Sequence, residues 1–143
     1  MERSHNYFLI VGAALNGAAA LLHAGCIIFG AEWYRFLGAG EQMAQLDLAG
    51  HWYPDTITSV IVLVLSVWAL YALSGAGLVR KLPFVRLALC VITGVYLLRA
   101  VAFVPLQPHF PGNSMTFWLV SSGICLVVGV VHFLGLRQAW PSL

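Results

Sequence analysis

VRLALCVITGVYLLRAVAFVP, residues 85–105, is an apolar run long enough to cross a membrane, and it carries a guanidinium, Arg99, near its far end. About 20 helical residues rising roughly 1.5 Å each cross some 30 Å of hydrocarbon. A charge at that depth is expensive. Arg99 should therefore face a bundle interior, a water-filled cavity or the headgroups.

Three further runs read the same way, and the four expected spans are residues 7–30, 56–74, 85–104 and 117–135. Of 143 residues 61% are hydrophobic and 8% charged, too little charge to keep a soluble domain dispersed. The expected fold is all-α: one membrane domain in which four antiparallel transmembrane helices form an up-and-down bundle. The first run is too long for a secretory leader and reads as a retained helix.

Lysines and arginines orient the chain. Arg80, Lys81 and Arg86 crowd the second loop, whereas the first loop, residues 31–55, has Arg35 alone against four acids. The positive-inside rule then places both termini and the second loop in the cytoplasm, with the first and third loops outside. The expected setting is a bacterial cytoplasmic membrane. Nothing resembles the dense basic face of a nucleic-acid binder. Cys26, Cys90 and Cys125 are dispersed among the spans, with no CxxC pair.

Local signals punctuate the spans. Asp55 or Thr56 is the expected cap of the second, Pro83 the first-turn residue of the third, and Ser114 the cap of the fourth. Glu41 to Leu48 suits a short amphipathic helix on the membrane surface. Gly12, Ala13, Gly17, Ala20 and Gly25 give the first span a small-residue face on which a second copy of the chain would pack as a homodimer.

Polar residues recur at helical spacing on every span: Gly12, Asn16, Ala20, His23 and Ile27; Asp55, Ser59, Val62 and Ser66; Cys90, Thr93, Tyr96 and Arg99; Trp118, Ser122, Cys125, Gly129 and His132. These stripes are expected to line the interior. By topology His23 and Arg99 lie in the outer half and His132 toward the cytoplasm, which argues against a haem between the two histidines. No motif assigns a cofactor. His23, His51 and His109 are candidate metal ligands only through convergence, because no HExxH or paired spacing is present.

The site expected from these positions is an outward-opening polar cavity in which Arg99, His23, Asn16, Glu41, His51 and Tyr96 bind a ligand. An anionic or strongly accepting partner is required at Arg99, and Glu32 and Glu41 are the closest protein candidates. If one of them holds Arg99 permanently the pair is structural. If the partner exchanges, Arg99 is an anion or headgroup site. The preferred function is binding, with transport, of a small polar, anionic or amphipathic molecule beside membrane lipids. One alternative is an enzyme acting on a lipid, isoprenoid or quinone, with His23 moving the proton, Arg99 holding developing charge, and Glu32 or Glu41 tuning the histidine. The other is a structural subunit whose polar groups only specify packing.

Overall fold

A computed structural model describes residues 5–143, and all regular structure among them is helical. The elements are α1 (Tyr7–Phe29), α2 (Ala31–Phe36), α3 (Glu41–Leu48), α4 (Trp52–Gly75), α5 (Val85–Val101), α6 (Phe103–Leu106) with a 3₁₀ turn (Gln107–His109), and α7 (Met115–Ala139) with a second 3₁₀ turn (Trp140–Ser142). Three helices, α1, α4 and α7, are long and apolar enough to cross a membrane. The bent pair Val85–Val101 and Phe103–His109 makes a fourth if it is one span.

Sequence explains most boundaries, and several differ from expectation. Asn6 Oδ1 accepts from the Leu9 N–H (3.1 Å) and caps α1, while its amide nitrogen donates to the Gly135 carbonyl of α7 (2.7 Å). The start of α4 is at Trp52, four residues before the expected Thr56. His51 Nδ1, not Asp55 or Thr56, accepts from the Tyr53 N–H there. Pro54 then falls in the first turn, where a missing N–H breaks no helical bond. Pro83 lies ahead of α5, and Phe84 enters it in the left-handed region (φ 55°).

The third difference bears on the site. α5 stops at Val101, three residues short of the expected end, and the following helix turns away by 63°. Pro105 is the physical reason. It has no N–H to give the Val101 carbonyl, and its ring crowds that same carbonyl. Arg99 thereby falls in the last helical turn, where the carbonyl ends of the helix favour a cation.

α1 packs along α4 and also touches α7, α5 packs along α7, and α4 touches α5. Small residues set these approaches. A Cβ on Gly129 would meet the Leu97 backbone nitrogen at 3.2 Å, so α5 and α7 are in backbone contact there. The small-residue face of α1 is divided. Gly12, Ala13, Ala20 and Gly25 are buried within the chain, whereas Ala14 and Ala18 are exposed and Gly17 has no neighbour within 4 Å. Apolar cores form at both ends. Leu9, Val85, Leu89, Ile92 and Leu136 cluster beside the basic loop, and Cys26, Ala31, Tyr34 and Ala44 lie under the α2–α3 hairpin. Outside these clusters the buried residues include Asn16, Thr58, Thr93, Ser122 and His132.

Candidate functional site

On α7, Trp118, Ser122, Cys125, Gly129 and His132 all turn inward, as their spacing predicts: four are buried and Cys125 is partly so. On α5, Thr93 is buried and Tyr96 and Arg99 are half-buried. α1 contributes buried Gly12, Asn16 and Ala20. Where these stripes face one another they form two polar groups at different depths.

The deeper group is a closed chain of hydrogen bonds. Tyr96 Oη donates to Asn16 Oδ1 (2.6 Å), and Asn16 Nδ2 lies 3.0 Å from His132 Nε2. His132 Nδ1 lies 2.8 Å from the Val128 carbonyl, which can only accept. His132 therefore carries its proton on Nδ1, and Nε2 accepts from the Asn16 amide. The Tyr96 and His132 rings stack at 5.7 Å, and Trp68 of α4 meets Tyr96 edge-on at 5.5 Å. Asn16 and His132 have no exposed surface, and the chain's three side chains satisfy one another. Asn16 and Tyr96, both expected as ligand residues, belong here. α7 continues to Ala139, four residues past the expected Gly135, and His132 lies in its C-terminal half.

The shallower group is open. Arg99 Nη2 donates to Ser121 Oγ (3.0 Å), and the guanidinium carbon lies 5.4 Å from the centre of the Trp118 ring. Three buried polar atoms here have no partner among the described residues: Arg99 Nη1, Trp118 Nε1 and Ser122 Oγ. Trp118 and Ser122 are one helical turn apart on α7, and Arg99 meets that helix at Trp118 and Ser121. Trp118 and Ser122 are both more than nine-tenths buried. Ser121 is six residues into α7, roughly 9 Å along its axis from Met115. Phe110 and Phe117 flank the Trp118 ring at 6.1 and 5.9 Å.

No carboxylate meets Arg99 among the described residues. Both expected partners serve Arg35, to which Glu32 and Glu41 lie at 2.6 and 2.7 Å. The reason is local: Arg35 is one turn from Glu32 on α2, and Gly38 and Gly40 fold α3 back beside it. Arg35 and Gln45 hold the Glu41 carboxyl down to about 2. Its depressed value means this clasp is complete above the ordinary carboxylate value and is lost as pH falls toward 2. A carbon-detected titration should show Glu41 protonating near 2 in the native chain and markedly higher, toward the ordinary 4.5, in Arg35→Gln, where Gln45 still donates to it. Identical midpoints would remove the clasp.

The other expected site residues are dispersed. His23 Nδ1 lies 2.7 Å from the Ala19 carbonyl on its own helix, His51 caps α4, and His109 Nδ1 lies 3.2 Å from the Pro105 carbonyl. Among the described residues no three His, Cys, Asp or Glu side chains are placed to hold a metal ion. Asp55 accepts weakly from Tyr34 Oη (3.4 Å), which itself accepts from Thr58. Burial pushes the Tyr34 hydroxyl above its usual range.

Asn113 Nδ2 donates to the Gly38 carbonyl (2.9 Å) and Phe117 packs on Gly38, which draws the third loop over the Arg99 end. A cavity of about 640 Å³ lies at the opposite end, between Asn6, Ser74, Lys81 and Gln138. Its buried polar groups are already engaged: Asn6 as above, and Ser74 Oγ by the Leu82 N–H (2.9 Å) and the Arg80 carbonyl (3.2 Å). Lys81 Nζ donates to the Ser142 carbonyl.

Set against known proteins, the chain matches no family model, no curated protein and no solved structure.

Proposed function

We propose that this chain is a four-span bundle with both termini in the cytoplasm, and that it binds the acceptor group of a small polar or amphipathic molecule beside Arg99. One observation carries the reading: Arg99 Nη1 on α5 and Trp118 Nε1 and Ser122 Oγ on the adjoining stretch of α7 are each buried and unsatisfied among the described residues. A buried donor without an acceptor costs on the order of 1–3 kcal/mol, more when charged. Two of these groups can only donate. A purely structural pair would have set a carboxylate at this point, yet the nearest acids serve Arg35.

Binding, without passage through the chain, fits the packing behind the site. Between Arg99 and the cavity at the far end stand the stacked rings of Tyr96 and His132, the Asn16 bridge and the backbone contact at Gly129. An enzymatic role for His23 lacks support, since its one hydrogen bond is to its own helix.

Native mass spectrometry of protein taken from membranes in a neutral detergent tests the reading. Wild type should emerge with a retained small molecule. In the double variant Trp118→Phe/Ser122→Ala retention should fall about tenfold or more, the equivalent of two neutral hydrogen bonds. Equal retention, or none in wild type, would overturn it.

A further inference from the structure

We infer that the ligand beside Arg99 is a singly charged oxyanion carried on an acyl chain, a carboxylate or phosphodiester head that enters from the surrounding lipid. The inference rests on the binding reading above and adds the charge, the tail and the route.

Charge comes first. Arg99 keeps its proton at any ordinary pH, so the site holds one fixed positive charge. The four described acids lie elsewhere: Glu32 and Glu41 on Arg35, Asp55 at Tyr34, and Asp47 beside Gly30. The groups the guanidinium meets, Ser121 Oγ and the Trp118 ring, are neutral. In a low-dielectric setting one negative charge neutralises this site, while a second would be left uncompensated. A neutral acceptor would satisfy the donors and leave the guanidinium unbalanced.

Geometry supplies the tail. Ser121, the hydrogen-bond partner of Arg99, sits about 9 Å along α7 from Met115, within reach of a head held at the membrane interface. The third loop crosses that end through the Asn113–Gly38 bond, which hinders straight entry from water. Arg99 itself is half-buried, and its neighbours Leu98, Val101, Leu119 and Val120 are exposed apolar side chains. A small free anion would have to shed its water to reach the guanidinium. An amphiphile in the same leaflet would bring its head from the interface toward the guanidinium while its chain stays against those side chains.

The indole N–H of Trp118 reports on the site. One of the chain's five tryptophan indole resonances belongs to it, identified by its loss in Trp118→Phe. Protein in neutral detergent is titrated with dodecanoate, dodecanol, dodecyl phosphate as its dianion, and sodium acetate. A second arm uses nanodiscs of phosphatidylglycerol diluted in diacylglycerol-containing neutral lipid, against the neutral lipid alone. Dodecanoate or phosphatidylglycerol, or both, should move the Trp118 resonance downfield, and which of them does so identifies the source. Arg99→Gln should weaken that response about tenfold or more, as expected for a lost charged hydrogen bond. Should Arg99→Gln fail to fold, Ser122→Ala serves in its place, with weaker binding of dodecanoate and no change toward dodecanol. Equal responses to dodecanol and dodecanoate would overturn the charge assignment and leave the binding reading intact. Tighter binding of the dianion would overturn the single charge, and acetate as tight as dodecanoate would overturn the tail. Silence from every probe would overturn both this inference and the reading beneath it.

Discussion

Gly12→Val is expected to destabilise the folded chain by about 2–4 kcal/mol, combining an overpacked core with a displaced hydrogen-bonded ring. A Cβ at Gly12 would lie 2.8 Å from His132 Cε1 and 2.9 Å from Nε2. Ordinarily a side chain that close would swing aside. This ring is fixed at three points: the Val128 carbonyl, the Asn16 amide and the stacked face of Tyr96. Moving it breaks the polar chain and presses on α5. The roughly 1 kcal/mol by which glycine is a poorer helix former than alanine offsets little of this. Equilibrium unfolding in mixed micelles of neutral detergent and dodecyl sulfate, followed by circular dichroism, measures the effect. Two comparisons make the cause specific. Gly17→Ala, at a glycine with no neighbour within 4 Å, should be neutral or stabilising. With His132→Ala already present, Gly12→Val should lose most of its penalty, because the obstructing ring is gone. A full penalty in that background would mean the clash lies elsewhere.

The stripes of α1 and α7 were legible in the sequence because their inward residues include groups that lipid does not tolerate. Asn16 and His132 cannot satisfy their side chains within one helix, so the helical period pointed to their common face. α4 misled. Asp55, Ser59 and Ser66 were read as its inward stripe, yet all three are exposed, and Thr58, Leu65 and Ala72 face inward instead. Ser66 shows why: its hydroxyl donates to the Val62 carbonyl one turn back (2.7 Å), so it needs no neighbour and can face lipid. Cys90 on α5 is likewise exposed, and a thiol pays little for that position. The partner of Arg99 was hidden for another reason. Hydropathy assigns a depth to a charge but not a contact, and the competing claim of Arg35 on Glu32 and Glu41 depends on how Gly38 and Gly40 turn. The three unsatisfied atoms become visible only when Trp118, Ser122 and Arg99 are seen together. Their spacing on α7 had hinted at them, since Trp118 and Ser122 stood on one predicted face.

Asn16→Leu should cost about 2–3 kcal/mol, and the loss should not be a sum of independent bonds. Asn16 is the only link between Tyr96 Oη and His132 Nε2. Replacing it leaves a donor and an acceptor buried without partners. Interhelical hydrogen bonds in membranes average about 0.6 kcal/mol and reach roughly 1.7, so the loss must come mainly from those two orphans. Tyr96→Phe alone should cost less, because it leaves one orphan, Asn16 Oδ1. The two substitutions combined should cost clearly less than their sum, with a coupling of about 1 kcal/mol, since each removes an orphan the other creates. Nitrogen spectra of His132 give an independent check: Nδ1 should carry the proton in the native chain, and Nε2 should shift when its donor is lost with Asn16→Leu. The consequence reaches the open site. Tyr96 stands one turn before Arg99 on α5, and its bond to α1 fixes the rotation of α5 that brings the guanidinium to Ser121. Asn16→Leu should therefore also weaken the dodecanoate response at Trp118, though it lies well below that site. Simple additivity of the two substitutions, with the Trp118 response unchanged, would show the two polar groups to be independent.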